Sequence, residues 1–169
     1  MAREIESAGA GSRASGRYAV AQTVLLFAYA GAYFLDPSPR LLPPGGMPGR
    51  LGALLSFAGL LLMFFAFRAL GKAIQVAPEP RPDARLVTRG IYTRLRHPIY
   101  TAIVIVTVGL FLRKPTLLVG VATAVVIAFL AVKVRIEERL LLARYPEYAA
   151  YKARTWGILP SPRRPAPIR

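Results

Sequence analysis

From Leu86 to Tyr100 the chain reads Leu-Val-Thr-Arg-Gly-Ile-Tyr-Thr-Arg-Leu-Arg-His-Pro-Ile-Tyr. This stretch holds the single histidine, His97, three arginines (Arg89, Arg94 and Arg96) and two tyrosines, Tyr92 and Tyr100. An apolar run starts at Ile99. Pro98 suits the first turn of a helix, where its missing N–H costs nothing. Arg96 and His97 are therefore expected at a helix mouth, where free N–H groups and the positive end of the dipole attract anions. That chemistry suits a carboxylate or a phosphate. A second set of reactive types follows downstream: Lys133, Arg135, Glu137 and Glu138.

Both sets also have plain readings. Arg-His-Pro before an apolar helix can be an interfacial anchor. Glu137 and Glu138, flanked by Arg135 and Arg139, can be a solvated helix face with i,i+4 pairs. Tyr145, Tyr148 and Tyr151 can be an aromatic belt at a membrane surface.

Composition narrows the setting. Of 169 residues, 54% are hydrophobic and 18% charged, which points to the membrane rather than to a soluble globule. The absence of cysteine removes disulfides, thiolate nucleophiles and Cys metal sites, and one histidine removes a His-rich site, so no metal is expected. The net charge of +15 lies between and beside apolar runs. It reads as membrane topology rather than nucleic-acid binding, for which no motif is present.

The expected fold is an all-α integral membrane protein of one domain, residues 18–160. A disordered leader precedes it (1–17) and a loose basic tail follows (161–169). Four transmembrane helices are expected near 18–35, 51–70, 98–112 and 116–134, the last continuing helically through residue 144 as a cytoplasmic extension. The first run also resembles a signal peptide, with Arg13 and Arg17 ahead of it and Ala28-Tyr29-Ala30 as a cleavage site. Its apolar character continues past Ala30, which favours a retained helix. Residues 36–50 form a Pro- and Gly-rich loop. Pro78 to Pro82 should be extended. The turn Arg113-Lys114-Pro115 makes the last two spans a helical hairpin, and Glu147 to Arg154 reads as one more short helix. Six Lys and Arg lie between Lys72 and Arg96 and nine from Lys133 onward, against two in each short loop. Both termini and the 71–98 segment are thus expected on the cytoplasmic side of the cell's inner membrane.

The hairpin brings the two sets of residues together. At 1.5 Å of rise per residue, the depth of Arg94 to His97 on one arm matches residues 133–138 on the other. Cations, carboxylates and tyrosines then share one place at the membrane edge. S-adenosylmethionine carries a carboxylate, an ammonium and a sulfonium, and aromatic faces stabilise cations. Arg96 or His97 would take the carboxylate, Glu137 the ammonium, and Tyr92 or Tyr100 the sulfonium.

Four motifs in order resemble the isoprenylcysteine carboxyl methyltransferases and their neighbours among the membrane phospholipid methyltransferases. They are Leu86-Val87-Thr88-Arg89-Gly90-Ile91-Tyr92, Arg96-His97-Pro98-Ile99-Tyr100, Glu137-Glu138 and Tyr148-Ala149-Ala150-Tyr151. The resemblance covers about residues 68–160. It implies a membrane enzyme that binds S-adenosylmethionine at the cytosolic face. Cofactor contacts would come from Arg85, Leu86, Val87, Tyr92, Arg96, His97, Pro98, Ile99, Tyr100, Glu137 and Glu138. Lys133 falls in the substrate-orienting position, with Arg135 as the next candidate. The acceptor would be a lipophilic or lipid-linked molecule bearing a carboxylate, thiol or amine. Two positions depart from the family pattern: Ala102 replaces a usual glycine, and Lys133 replaces an arginine. A lysine offers a point charge rather than a bidentate fork.

Two rival functions remain. NADPH-dependent membrane sterol reductases resemble this half of the chain but favour Asn where Ile99 stands. A non-catalytic membrane protein of the same fold is the other.

Overall fold

The computed structural model describes residues 2–43, 46–71 and 86–159. The expected extended segment from Pro78 to Pro82, Arg85 and the tail 161–169 lie outside the described residues.

The elements are helices α1 (Ala2–Leu35), α2 (Met47–Leu70), α3 (Pro98–Arg113), α4 (Leu117–Arg144) and α5 (Tyr148–Arg154), with a 3-10 turn at Gly90–Thr93 before α3. Among the described residues there is no sheet. The protein is a membrane protein by the character of its helices. The Gly16–Leu35 part of α1, all of α2 and all of α4 are long and apolar enough to cross a bilayer. α3 is apolar but has 16 residues. It rises about 24 Å against a hydrocarbon core of about 30 Å. Large apolar side chains face outward, among them Phe27, Phe34, Leu54, Phe57, Phe64, Leu117 and Val121. Such a surface suits lipid, not water.

α1 differs from expectation. It starts at Ala2, taking in residues that composition assigned to a disordered leader. Ala, Glu and Arg propagate a helix readily once the apolar run has nucleated it. Elsewhere the boundaries fall within a few residues of those expected. α2 starts at Met47 with Pro48 in its first turn. Thr116 caps α4, its hydroxyl accepting from the Val119 N–H at 3.2 Å.

Chain direction alternates through α1 to α4, so Gly71, residues 86–97 and the end of α4 lie at one end of the bundle. The other end is tied at a corner. Lys114 Nζ donates to the carbonyls of Tyr33 and Asp36, each at 2.7 Å. Asp36 accepts from the Thr116 hydroxyl at 2.6 Å and from the Ser38 N–H at 2.9 Å. The hydrogen bonds from Ser38 and Thr116 hold the Asp36 carboxyl down to about 2.

α3 and α4 run antiparallel through the Lys114–Thr116 turn, yet α3 packs most closely on α2. A Cβ on Gly52 would lie 2.4 Å from the Gly109 carbonyl, and one on Gly109 would lie 2.5 Å from Ser56 Oγ. Small residues let backbones approach where no hydrophobic drive separates protein from lipid. α1 packs instead on α4. Tyr29 is buried between them and donates to the Thr107 carbonyl of α3 at 2.8 Å. It belongs to a core with Tyr100, Ile103, Val119, Val126 and Leu130.

Candidate functional site

The site lies where α3 begins and α4 leaves the core. Gly90, at φ 60°, opens the 3-10 turn in a conformation that favours glycine. The turn buries Tyr92. The carbonyl of Tyr92 accepts from the Tyr151 hydroxyl of α5 at 2.7 Å. Burial pushes the Tyr151 phenol up to about 12 and raises those of Tyr92 and Tyr148 as well. All three are therefore neutral near pH 7, and Tyr151 keeps the proton it donates.

His97 is the N-cap of α3, with Pro98 in the first turn. Its ring is buried and stacks on Tyr100, centroids 5.6 Å apart and planes 8° from parallel. Two carboxylates of α4 face it. Glu138 Oε1 is 3.3 Å from His97 Nε2, and Glu137 Oε2 is 3.7 Å from Nδ1. These contacts join residues that the depth count placed at one level.

The two glutamates are not equivalent. Glu138 is clasped by Arg96 Nε at 2.9 Å, Lys152 Nζ at 2.7 Å and the His97 ring. Glu137 Oε2 is buried and has no hydrogen-bond partner among the described residues. The Tyr148 hydroxyl and the Trp156 indole N–H are buried without partners as well. Arg96 is similarly engaged. Besides Glu138 it donates to the carbonyls of Lys152, at 2.9 Å, and Thr155. Its backbone N–H donates to the Trp156 carbonyl at 2.8 Å, and the Trp156 N–H to that of Arg94 at 2.9 Å. The Thr101 hydroxyl donates to the Ile158 carbonyl. The segment 155–158 thus straps the mouth of α3.

Lys133 has no exposed surface. Its Nζ donates to Gln22 Oε1 of α1 and lies 5.3 Å from the centroid of the Tyr100 ring. Arg135, two residues on, is exposed. Leu86 and Val87 lead into the 3-10 turn half-buried, Pro98 is buried and Ile99 is half-buried in the first turn of α3. Among the described residues no three His, Cys, Asp or Glu side chains form a group able to hold a metal ion.

Sequence reasoning did not find Gln22, Lys152 or the strap of Thr155, Trp156 and Ile158. Gln22 carries a usable signal, since a polar side chain inside an apolar span has to find a partner. The strap carries little, because its bonds to Arg94 and Arg96 run through backbone groups.

A family model described as phospholipid methyltransferase matches residues 49–148. The match takes in α2, the 3-10 turn, α3 and α4, and leaves out α1. The cobalt-zinc-cadmium resistance protein CzcN of Cupriavidus metallidurans is 33% identical over 81 residues, 47% of this chain and 38% of that protein. The chain therefore spans well under half of that relative's length. No solved structure matches.

Proposed function

The chain belongs to the phospholipid methyltransferase family, and from that membership we propose that it transfers a methyl group from S-adenosylmethionine to a lipophilic acceptor. The observation that carries the reading is the Glu137 carboxylate. Its Oε2 is buried beside His97 with no hydrogen-bond partner, while its neighbour Glu138 is held by Arg96, Lys152 and the His97 ring. Buried polar atoms without partners are uncommon and call for an explanation. A ligand with an ammonium and a carboxylate in one amino acid moiety fits this set: Glu137 takes the ammonium, and His97 takes the carboxylate through Nδ1, its Nε2 being held by Glu138. Arg96 and Glu138 then serve as the frame that fixes His97, rather than as ligand contacts. When bound, the cofactor supplies a methyl group activated for in-line displacement. The chain's own part is alignment and desolvation.

Lys133 lies one turn from Glu137 on α4, on the membrane side. We assign it to the acceptor, as a buried point charge that suits a carboxylate better than an amine. The acceptor's apolar body comes from the lipid. The charge distribution supports four crossings, with the site and both termini on the cytoplasmic side of the inner membrane. Reporter tags near Gly45 and after Pro160 should report opposite sides; the same side for both refutes the orientation.

The test is calorimetric titration of the purified protein with S-adenosylhomocysteine and, separately, NADPH. Binding of the first alone is expected. Binding of NADPH alone would favour the reductase reading, and binding of neither a non-catalytic role.

A further inference from the structure

At the end of the bundle away from His97, a cavity of about 490 Å³ opens between α1, the start of α2 and the end of α3. Four cations line it: Arg40, Arg50, Arg113 and Lys114. Among the described residues no carboxylate does. Asp36, beside Lys114, has both carboxylate oxygens engaged by Thr116 and Ser38. Lys114 is held by two carbonyls. Among the described residues, Arg40, Arg50 and Arg113 have no side-chain ion pair or hydrogen bond. Gly49, in the first turn of α2, adds the positive end of a helix dipole.

Four like charges around one space repel one another, and an anion in their midst reverses that. The surroundings indicate which anion. α1 packs on α4 and α2 on α3, so the cavity sits in the cleft between two helix pairs. Phe34, which lines it, is 77% exposed, and on the same two helices Leu35, Met47 and Leu54 are 81%, 77% and 63% exposed. A free ion would use only the cations. A phospholipid would use both the cations and the exposed apolar faces of α1 and α2.

We propose that this cavity binds the phosphate of an anionic phospholipid, with the head group among the arginines and the acyl chains along the exposed faces of α1 and α2. Basic pockets between membrane helices take such head groups on the cytoplasmic side, and this cavity offers the same chemistry at the opposite end of the bundle. The site is separate from the methyl-transfer site. Arg113 and Pro98 stand at opposite ends of α3, about 22 Å apart along its axis.

Thermal unfolding of the detergent-purified protein tests this, with dioctanoyl phosphatidylglycerol, dioctanoyl phosphatidylcholine or inorganic phosphate added. Phosphatidylglycerol should raise the melting temperature of the wild type. The double variant Arg50→Gln, Arg113→Gln should need about tenfold more of it for half the effect. Its affinity for S-adenosylhomocysteine should not change. Arg139→Gln, an exposed change at the other end, should respond like wild type. Equal stabilisation by phosphatidylcholine would overturn the anion requirement, and equal stabilisation by inorganic phosphate the lipid. An unaltered response in the double variant would overturn the site. Arg40→Gln, in the loop, gives the same readout if the double variant does not fold.

Discussion

Arg96 Nε donates to Glu138 Oε1 at 2.9 Å, with the two side chains 11% and 13% exposed. This pair joins the residue before the mouth of α3 to the emerging part of α4, and Lys152 of α5 closes on the same carboxylate. It makes the mouth a rigid frame.

Removing Arg96 leaves Glu138 with only Lys152, which is 41% exposed, and the His97 ring. Arg96→Ala should destabilise the protein by about 3 kcal/mol, since the Lys152 and Thr155 carbonyls lose a donor too. Glu138→Gln should lower the melting temperature while leaving S-adenosylhomocysteine affinity near that of the wild type. A melting temperature unmoved in both variants would show the frame to be decoration.

His97→Ala and Glu137→Gln should act on the ligand instead. Each removes a charge-assisted or hydrogen-bonded contact of roughly 1.5–3 kcal/mol. That corresponds to about ten- to a hundredfold in affinity. Calorimetry with S-adenosylhomocysteine reads it. Two folded variants binding like wild type would mean that Glu137 does not hold the cofactor.

Lys133→Ala should cut methyl incorporation from labelled S-adenosylmethionine into membrane extracts by about tenfold or more, with cofactor affinity changed less than about twofold. Equal losses in both would move Lys133 into the cofactor site.

The glycines of the α2–α3 contact should be sensitive. Gly52→Ala or Gly109→Ala places a methyl group within 2.4–2.5 Å of backbone or Ser56 atoms. Overpacking of this kind costs about 1–3 kcal/mol. Gly31→Ala on α1, where no atom lies within 4 Å, should be neutral or slightly stabilising. Equal effects at Gly52 and Gly31 would contradict the close approach.

Asp36 sets a pH dependence. Its folded pKa of about 2 lies below the ordinary 3.8, so the charged form is favoured by folding. Its stabilising contribution is complete above the ordinary value and is lost as pH falls towards about 2. Asp36→Asn should flatten the melting temperature between pH 5 and pH 2 relative to wild type. Parallel pH curves for the two proteins would remove Asp36 from the corner.

The sequence already contained the helix mouth, because Pro98 after His97 and the apolar run after Ile99 act through local geometry. It contained the meeting of His97 with Glu137 as well, because helical rise is constant. The partner choice of α3 was not legible in the same way. Gly52, Gly59 and Gly109 repeat at no spacing that names the facing helix, and only packing reveals that α2 outranks α4. Gln22 stands out as polar in an apolar run, yet nothing in the run names Lys133 as its partner. The engagement of Arg96 was not legible either, because it runs to the carbonyls of Lys152 and Thr155, which only the fold brings near.

The strap across the mouth also fixes an order of events during synthesis. Thr155, whose carbonyl Arg96 engages, leaves the ribosome 59 residues after it. Through that interval α3, α4 and α5 are made while the mouth is still open. A nascent chain halted before Thr155 can insert its apolar helices and pair Gly52 with Gly109, yet it has no closed mouth in which to hold a ligand.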